Sequence, residues 1–164
     1  MVDSRQKGAR AESAAKGLLI KHTGLDWQRT PGSGALNAAH KLKGDLYVPD
    51  AKNKFCVEVK HYKDDHLTSK LLTDKTPQII KWWEQAVRQG EQTSRVPLLL
   101  FKHDRGKWFV AFNCFSIDDL YPNHKPKSYS LIEYNYKIKE NQFYHFYMAK
   151  LEEWLAAEEI QWIL

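Results

Sequence analysis

Apolar residues recur at helical spacing in two parts of the chain. Asp3 or Ser4 can cap a first helix that runs to about Lys21. Pro77 begins a second helix, since proline is favoured in a first turn, and Gly90 can end it. The residues predicted to face the core are Ala11, Ala14, Ala15, Leu18 and Leu19 in the first helix, and Ile79, Ile80, Trp83, Ala86 and Val87 in the second.

Shorter apolar segments between and after these helices predict strands. The predicted strands are 45–48, 54–60, 96–101, 107–113 and 129–138. From about Phe143 to the end, the pattern predicts a helix. Its apolar face carries Leu151, Trp154, Leu155 and Trp162. This order indicates an α/β fold with a mixed central β-sheet flanked by helices, in a single domain with a core at about 5–113 and a strand and helix extension at about 114–164.

Composition narrows the class of protein. A chain of 164 residues, 43% of them hydrophobic, can bury a core of its own. Its two cysteines are too few for a secreted disulfide scaffold or a zinc site, and no apolar run approaches the ~20 residues that span a bilayer. The first residues are too charged for a signal peptide, so we expect a soluble cytoplasmic protein with no membrane partner.

The charges are unevenly distributed along the chain, whose formal net charge is +5. Residues 1–63 hold twelve Lys and Arg against six Asp and Glu, whereas residues 148–164 hold one lysine against four glutamates. A basic surface favours a polyanionic partner. We therefore expect the first part of the chain to contact that partner.

The hairpin predicted from strands 45–48 and 54–60 brings acidic residues together. With a turn at residues 49–54, the paired residues are Val48 with Phe55, Leu46 with Val57, and Asp45 with Glu58. Because side chains alternate between faces, one face is apolar and carries Leu46, Val48, Phe55, Val57 and Val59. The other face carries Asp45, Tyr47, Cys56, Glu58 and Lys60. This register brings two carboxylates to within about 5 Å of each other.

Carboxylates directly opposite each other repel unless a cation lies between them. Oxygen ligands suit Mg²⁺, and Lys60, one pleat further along the same face, can stabilise an attacking water or a developing phosphate charge. A metal held by two carboxylates beside a lysine suits phosphodiester hydrolysis. A solvated hairpin with a surface salt bridge has the same pattern, so the hairpin alone leaves both interpretations open.

Further polar residues accompany the hairpin in a fixed order. The set is Glu12 in the first helix, the loop Arg29-Thr-Pro-Gly-Ser-Gly34, Gly44-Asp45 and Glu58-Val59-Lys60. It resembles the PD-(D/E)XK nuclease superfamily, and within it most closely the archaeal-type Holliday-junction resolvases and their phage-encoded relatives. The resemblance covers residues 5 to about 113 and implies a restriction-endonuclease-like core. If a phage encodes the chain, its location is the host cytoplasm.

The resemblance also implies roles for individual residues. The implied metal ligands are Glu12, Asp45, Glu58 and the backbone carbonyl of Val59. Lys60 is the implied catalytic lysine, Ser33 acts near the scissile phosphate, and Gln85 on the second helix supports the site. Gly44 stands where many members have proline, a departure that the superfamily tolerates.

The activity implied by the resemblance is Mg²⁺-dependent cleavage of DNA, with Mn²⁺ expected to substitute. The substrate would be a four-way (Holliday) junction, and two opposed nicks in one junction imply a homodimer. The side chains expected to bind DNA are Arg29, Ser33, His40, Lys41, Lys43, Lys63 and Lys70. For these residues a solvated basic surface is the alternative interpretation.

Two other functions stay open. One is a PD-(D/E)XK nuclease with another DNA substrate, such as a nicking, repair or restriction-type enzyme. The other is a DNA-binding module without catalysis, which the presence of all the acidic residues and Lys60 disfavours. No nucleotide cofactor is expected, because Gly32-Ser-Gly34 lacks the lysine and the spacing of a phosphate loop.

A second Pro-Asp pair, Pro49-Asp50, also precedes Glu58. In the register above Asp50 lies in the turn, about five residues of extended chain from Glu58 at ~3.3 Å each. Asp45 is therefore predicted to belong to the site and Asp50 is not.

Overall fold

The structure, a computed structural model, describes residues 3–31, 43–113, 128–140 and 142–164. Within these residues the helices are α1 (Ser4–Thr23), α2 (Lys70–Thr73), α3 (Gln78–Thr93) and α4 (Leu151–Ala157). The strands are β1 (Gln28–Arg29), β2 (Leu46–Tyr47), β3 (Phe55–Tyr62), β4 (Val96–His103), β5 (Phe109–Phe112), β6 (Leu131–Lys139) and β7 (Gln142–Lys150).

The described strands form one mixed sheet in the order β1-β2-β3-β4-β5-β7-β6. Strands β3 and β4 are parallel, and α3 lies in the crossover between them. The other neighbouring strands pair antiparallel, including the predicted β4–β5 hairpin. The predicted α/β architecture is therefore confirmed.

Helices cover both faces of the sheet. On one face α1 and α4 pack against alternate residues of the central strands, and this cluster includes Ala15, Leu19, Val57, Leu100 and Trp154. On the other face α3 packs through Ile79, Trp82, Trp83 and Ala86. The predicted apolar face of the first hairpin, which holds Leu46, Val48, Phe55, Val57 and Val59, lies entirely in the first cluster.

Helix α1 begins after Asp3, whose carboxylate accepts a hydrogen bond from the Arg5 N–H at 3.0 Å, as predicted. The helix buries Ala11, Ala15 and Leu19. Ala14 is exposed, so its predicted place in the core is wrong. One residue is about 100° around a helix, and Ala14 lies that far from Ala15 at the centre of the buried stripe.

Helix α3 does not end at Gly90 but continues to Thr93, where Ser94 adopts the left-handed cap. Gly90 is buried, and a Cβ there would lie 2.7 Å from the Arg95 carbonyl oxygen. The glycine is required because the chain turns back closely over the helix to enter β4, with the Arg95 N–H donating to the Gly90 carbonyl at 2.9 Å. Gly90 therefore allows the backbone at Arg95 to approach the helix closely.

The helix predicted from about Phe143 is wrong over its first part. This segment is strand β7, which lies between β5 and β6, and only Leu151–Ala157 is helical. Phe146 and Met148 pack on one face of the sheet and Ala149 on the other. A strand buried on both faces is a continuous apolar run, which periodicity does not separate from a buried helix.

The chain after α4 returns to the core. Trp162 lies beyond the helix, and its ring is 5.3 Å from Trp27 and 5.1 Å from Phe55 between centroids. The Trp162 carbonyl accepts a hydrogen bond from the Lys54 N–H at 2.9 Å. The apolar residues predicted at this end therefore close the core of the same chain. No helix in the described ranges has both the length and the apolar character needed to cross a bilayer.

Candidate active site

The hairpin of β2 and β3 has the predicted register where it matters for the site. Leu46 pairs with Val57, and Asp45 precedes Leu46 at the start of β2. The Asp45 N–H donates to the Val57 carbonyl at 2.6 Å, and the Asp45 Oδ2 accepts from the Val59 N–H at 2.7 Å. Both bonds fix Asp45 beside the part of β3 that carries Glu58.

The hairpin differs from the prediction at its turn. Val48 does not pair with Phe55, because its N–H donates instead to the Asn53 side chain at 2.8 Å. The buried Asn53 amide also donates to the Val48 carbonyl at 2.8 Å, so it takes the place of a strand partner. Asp50 lies exposed in this turn with a positive φ of 56°, as the register predicts.

Gly44 sets the direction in which the chain enters β2. Its φ is +82°, and a Cβ there would lie 2.7 Å from the Val57 carbonyl oxygen. Only glycine adopts this conformation so close to a neighbouring strand without displacing it. The backbone of β3 can therefore approach the residue just before Asp45.

Glu58 lies in the middle of β3 and is 4% exposed. Its Oε1 is 3.2 Å from Lys60 Nζ and accepts a hydrogen bond of 2.9 Å from Gln85 Nε2 on α3. Lys60 follows Glu58 by two residues and so shares its face of the strand. The structure thus brings together Asp45, Glu58, Lys60 and Gln85, four of the residues singled out from the sequence.

Burial makes both carboxyl groups of the pair weaker acids by raising their pKa. Burial, followed by the charge of Glu58, raises the pKa of Asp45 from 3.8 to about 7. Burial also raises the pKa of Glu58, and the positive charge of Lys60 opposes that rise. Two acidic groups held together in a partly buried place are typical of a functional site.

Glu12 on α1 adds a third acidic group to this region. Its negative charge contributes to the raised pKa of both Asp45 and Glu58. The Glu12 Oε2 accepts a hydrogen bond of 2.8 Å from Arg29 Nε, so in this structure the two predicted site residues are paired with each other. The ion pair links α1 to β1 at the edge of the site.

Gln89 was not singled out from the sequence. Its Oε1 accepts the Gly44 N–H at 3.1 Å, one helical turn beyond Gln85 on α3. Residues four apart share a helix face, so the spacing of the two glutamines was an available signal. Together they hold both ends of the site, since Gln85 contacts Glu58 and Gln89 contacts the residue before Asp45.

A basic groove adjoins Lys60, and we define it by its lining residues. They are Ser4, Lys7, Gly8, Val59, Lys60, His61, Tyr62 and Lys63, around a volume of about 370 Å³. Lys7 Nζ is 2.9 Å from Asp104 Oδ1, and His61 Nε2 is 2.8 Å from the same oxygen. Lys7 was not among the residues predicted to bind DNA, because no sequence pattern indicates that the first helix packs beside the end of β3.

The residues predicted to bind DNA are spread around this region. Lys43 is half-buried next to Gly44, and Lys63 is exposed and lines the basic groove. Lys70 is exposed at the start of α2, where it lines a second cavity of about 240 Å³. Ser33, His40 and Lys41 lie outside the described residues.

Comparison with known proteins identifies the family. A family model described as "Phage putative PDDEXK endonuclease" matches residues 3–164. The chain belongs to this family. The chain is also 47% identical over 115 residues to Protein D14 of Escherichia phage T5, an alignment that covers 68% of this chain and 72% of that protein. The predicted superfamily is confirmed, and the seven-stranded mixed sheet is consistent with a restriction-endonuclease-like core.

Members of PDDEXK families typically use divalent metals, so the donor groups of this chain can be tested for fit to a metal ion. In the part of the chain that the structure describes, no three His, Cys, Asp or Glu side chains converge as a ready metal centre. The two adjacent carboxylates of Asp45 and Glu58 nevertheless supply hard oxygen donors at a place where burial disfavours their charges. Mg²⁺ is commonly held by one or two carboxylates together with substrate phosphates. The donor chemistry therefore fits.

Proposed function

We propose that this phage PDDEXK endonuclease is a Mg²⁺-dependent, structure-selective DNA endonuclease that resolves four-way (Holliday) junctions by paired symmetric nicks. The observation that carries the proposal is the juxtaposition of Asp45 and Glu58 on adjacent strands, with Lys60 Nζ 3.2 Å from Glu58 Oε1. Acid, acid and lysine on one sheet face suit hydrolysis of a phosphodiester. Membership of the PDDEXK family supports the same chemistry.

In this proposal Asp45, Glu58 and the Val59 carbonyl would hold the metal, with Glu12 contributing from α1. Mg²⁺ bound there, or Mn²⁺ in its place, would supply activation of water and neutralisation of charge on the leaving oxygen. The high pKa of Asp45 favours the proton over the metal at low pH, so binding requires Asp45 to lose its proton.

The remaining residues bind and orient. Lys60 is the group that stabilises negative charge developing on the phosphate, and Glu58 holds its ammonium in place. Gln85 fixes the Glu58 carboxylate from α3. Ser33 is proposed to act near the scissile phosphate, and the products implied by the resemblance are a 5′-phosphate and a 3′-hydroxyl.

The junction as substrate rests on the order of the motif residues, which is most similar to that of Holliday-junction resolvases. Paired nicks require two active sites related by a two-fold axis, hence a homodimer acting in the cytoplasm of the infected host. The phosphate contacts are assigned to Arg29, Ser33, His40, Lys41, Lys43, Lys63 and Lys70. Binding through these side chains should weaken steeply with salt.

The test compares a labelled four-way junction with a linear duplex of the same sequence, with and without Mg²⁺, alongside the variant Glu58→Ala. Paired symmetric nicks on the junction alone, lost in the variant, support the proposal. Equal cutting of the linear duplex would retain the nuclease and refute the resolvase. Tight junction binding without metal-dependent cleavage would refute catalysis and favour a binding module.

A further inference from the structure

One edge of β3 lies next to the candidate site. Strand β2 pairs with β3 at Val57, and the last contact that Asp45 makes along this edge is with the Val59 N–H. Strand β3 continues to Tyr62, and among the described residues no strand borders that edge beyond Val59. The first turns of α1 face it across the basic groove defined above.

Tyr62 is the aromatic member of this groove. It follows Glu58 and Lys60 at two-residue spacing, so the three side chains lie in a row on one face, with ~6.6 Å between successive positions. The Tyr62 ring packs against the buried Trp82 at 4.7 Å between centroids, yet the residue remains 42% exposed. The His66 ring lies edge-on to Tyr62 at 6.1 Å between centroids, and the part of the Tyr62 ring that stays exposed is available for stacking.

The rest of the groove lining supplies charge and space. Lys7 from α1 and Lys63 just after β3 line the groove, and the Lys7 ammonium is 2.9 Å from Asp104 Oδ1. Gly8 has no side chain to fill the α1 side of the groove, and a Cβ at this position would meet nothing within 4 Å. Lysines beside an open aromatic face match a single nucleic-acid strand, which presents phosphates along one side and unpaired bases along the other.

We propose that the basic groove binds an unpaired DNA strand adjacent to the scissile phosphate, with its phosphates on Lys7 and Lys63 and one base stacked on Tyr62. This inference rests on the proposed function and deepens it, because it assigns the substrate class. The substrate is DNA with an unpaired strand or an openable base at a branch point, where loss of stacking lowers the cost of exposing a base. Continuous duplex offers no free base face to Tyr62.

Binding in the absence of metal tests the groove separately from cleavage. The probes are a short fluorescein-labelled DNA strand and the duplex that it forms with its complement, measured by anisotropy in EDTA. We expect Tyr62→Leu, which keeps an apolar cover over Trp82 but removes the ring, to weaken single-strand binding about tenfold, the loss typical of one stacked base. Tyr62→Phe keeps the ring and should bind within about twofold of wild type.

A second pair of variants tests whether the open volume beside Gly8 in the basic groove is needed for binding. Gly8→Leu projects into the groove and should also weaken single-strand binding about tenfold, as for a lost stacked base. Gly17→Leu is the matched control, because Gly17 lies on the same helix, is exposed and is equally free of neighbours, but lies outside the groove lining. Both changes replace a helical glycine, so any effect on helix stability is shared.

Unchanged single-strand affinity in Tyr62→Leu and Gly8→Leu would overturn the inference. An equal loss of single-strand and duplex binding would overturn it as well, because the groove would then not distinguish unpaired DNA. Wild-type protein that binds single strands through Tyr62 but cuts no DNA would support the groove and refute the proposed nuclease.

Discussion

Gln85 Nε2 on α3 donates a hydrogen bond of 2.9 Å to Glu58 Oε1 on β3. The same carboxylate oxygen lies 3.2 Å from Lys60 Nζ, so it is held from the helix and from its own strand. These two donors restrict the orientation of the Glu58 carboxylate, which retains further acceptor capacity for a cation. The crossover helix therefore orients the acidic group at the centre of the candidate site.

Removal of the Gln85 amide should impair cleavage without unfolding the protein. We expect Gln85→Ala to lower the cleavage rate by about 10- to 100-fold, the usual cost of losing a residue that orients a metal ligand. The control is Gln92→Ala, because Gln92 is exposed on the same helix. Wild-type rates in Gln85→Ala would show that Lys60 alone positions Glu58.

The choice between Asp45 and Asp50 gives a second prediction. Asp45→Asn should abolish Mg²⁺-dependent cleavage, because it removes one of the two adjacent carboxylates. Asp50→Asn should leave cleavage unchanged, since Asp50 is exposed in the turn and asparagine tolerates its positive φ of 56°. Gel assays of both variants on one DNA substrate measure the two cleavage rates. Loss of cleavage in Asp50→Asn but not in Asp45→Asn would refute the assignment of Asp45 to the site.

The raised pKa of Asp45 predicts how the metal-free protein responds to pH. Asp45 ionises near pH 3.8 in the unfolded chain and near 7 in the folded protein. Because the folded state holds the proton more tightly, stability is lost as the pH rises through this window. Asp45→Asn, which keeps an oxygen acceptor for the Val59 N–H, should therefore melt at a higher temperature than wild type in alkaline buffer.

Thermal unfolding in EDTA at about pH 4 and about pH 8 measures this difference. The advantage of Asp45→Asn should be largest at the higher pH and shrink toward the lower, while Asp50→Asn follows wild type throughout. Adding Mg²⁺ at the higher pH should raise the melting temperature of wild type more than that of Asp45→Asn. A pH-independent advantage would show that the folded carboxyl group is not destabilised by its charge.

Most of the half of the fold that surrounds the hairpin could be predicted from the sequence, since the alternation of the hairpin and the apolar faces of the two helices agreed with the packing. Leu46 pairs with Val57, which places Leu46 on the same apolar face of the hairpin as Phe55, Val57 and Val59. The second half lacked such a signal. The run that contains Phe146 and Met148 is apolar on both faces, and only the pairing of β7 between β5 and β6 makes it a strand.

The candidate site divides in the same way. Asp45, Glu58 and Lys60 come from one hairpin, where alternation specifies which side chains share a face. Lys7 and Gln89 lie on helices that are distant in sequence from the hairpin. Their contacts depend on how those helices pack on the sheet. Sequence patterns specify the faces of an element but not which neighbour will cover them.

Gly44 provides a last prediction, because the chain offers a matched glycine. Gly44 and Gly24 both have positive φ, but a Cβ at Gly24 would meet nothing within 4 Å, whereas at Gly44 it would lie 2.7 Å from the Val57 carbonyl oxygen. Gly24→Ala should lower the free energy of unfolding by about 1–2 kcal/mol, the cost of the left-handed conformation. Gly44→Ala should lower it by roughly 1–3 kcal/mol more, the usual cost of overpacking, and should also lose cleavage through displacement of Asp45. Urea denaturation and a cleavage assay of both variants test this prediction. Equal losses of stability would show that β2 shifts to accommodate the added methyl group without cost.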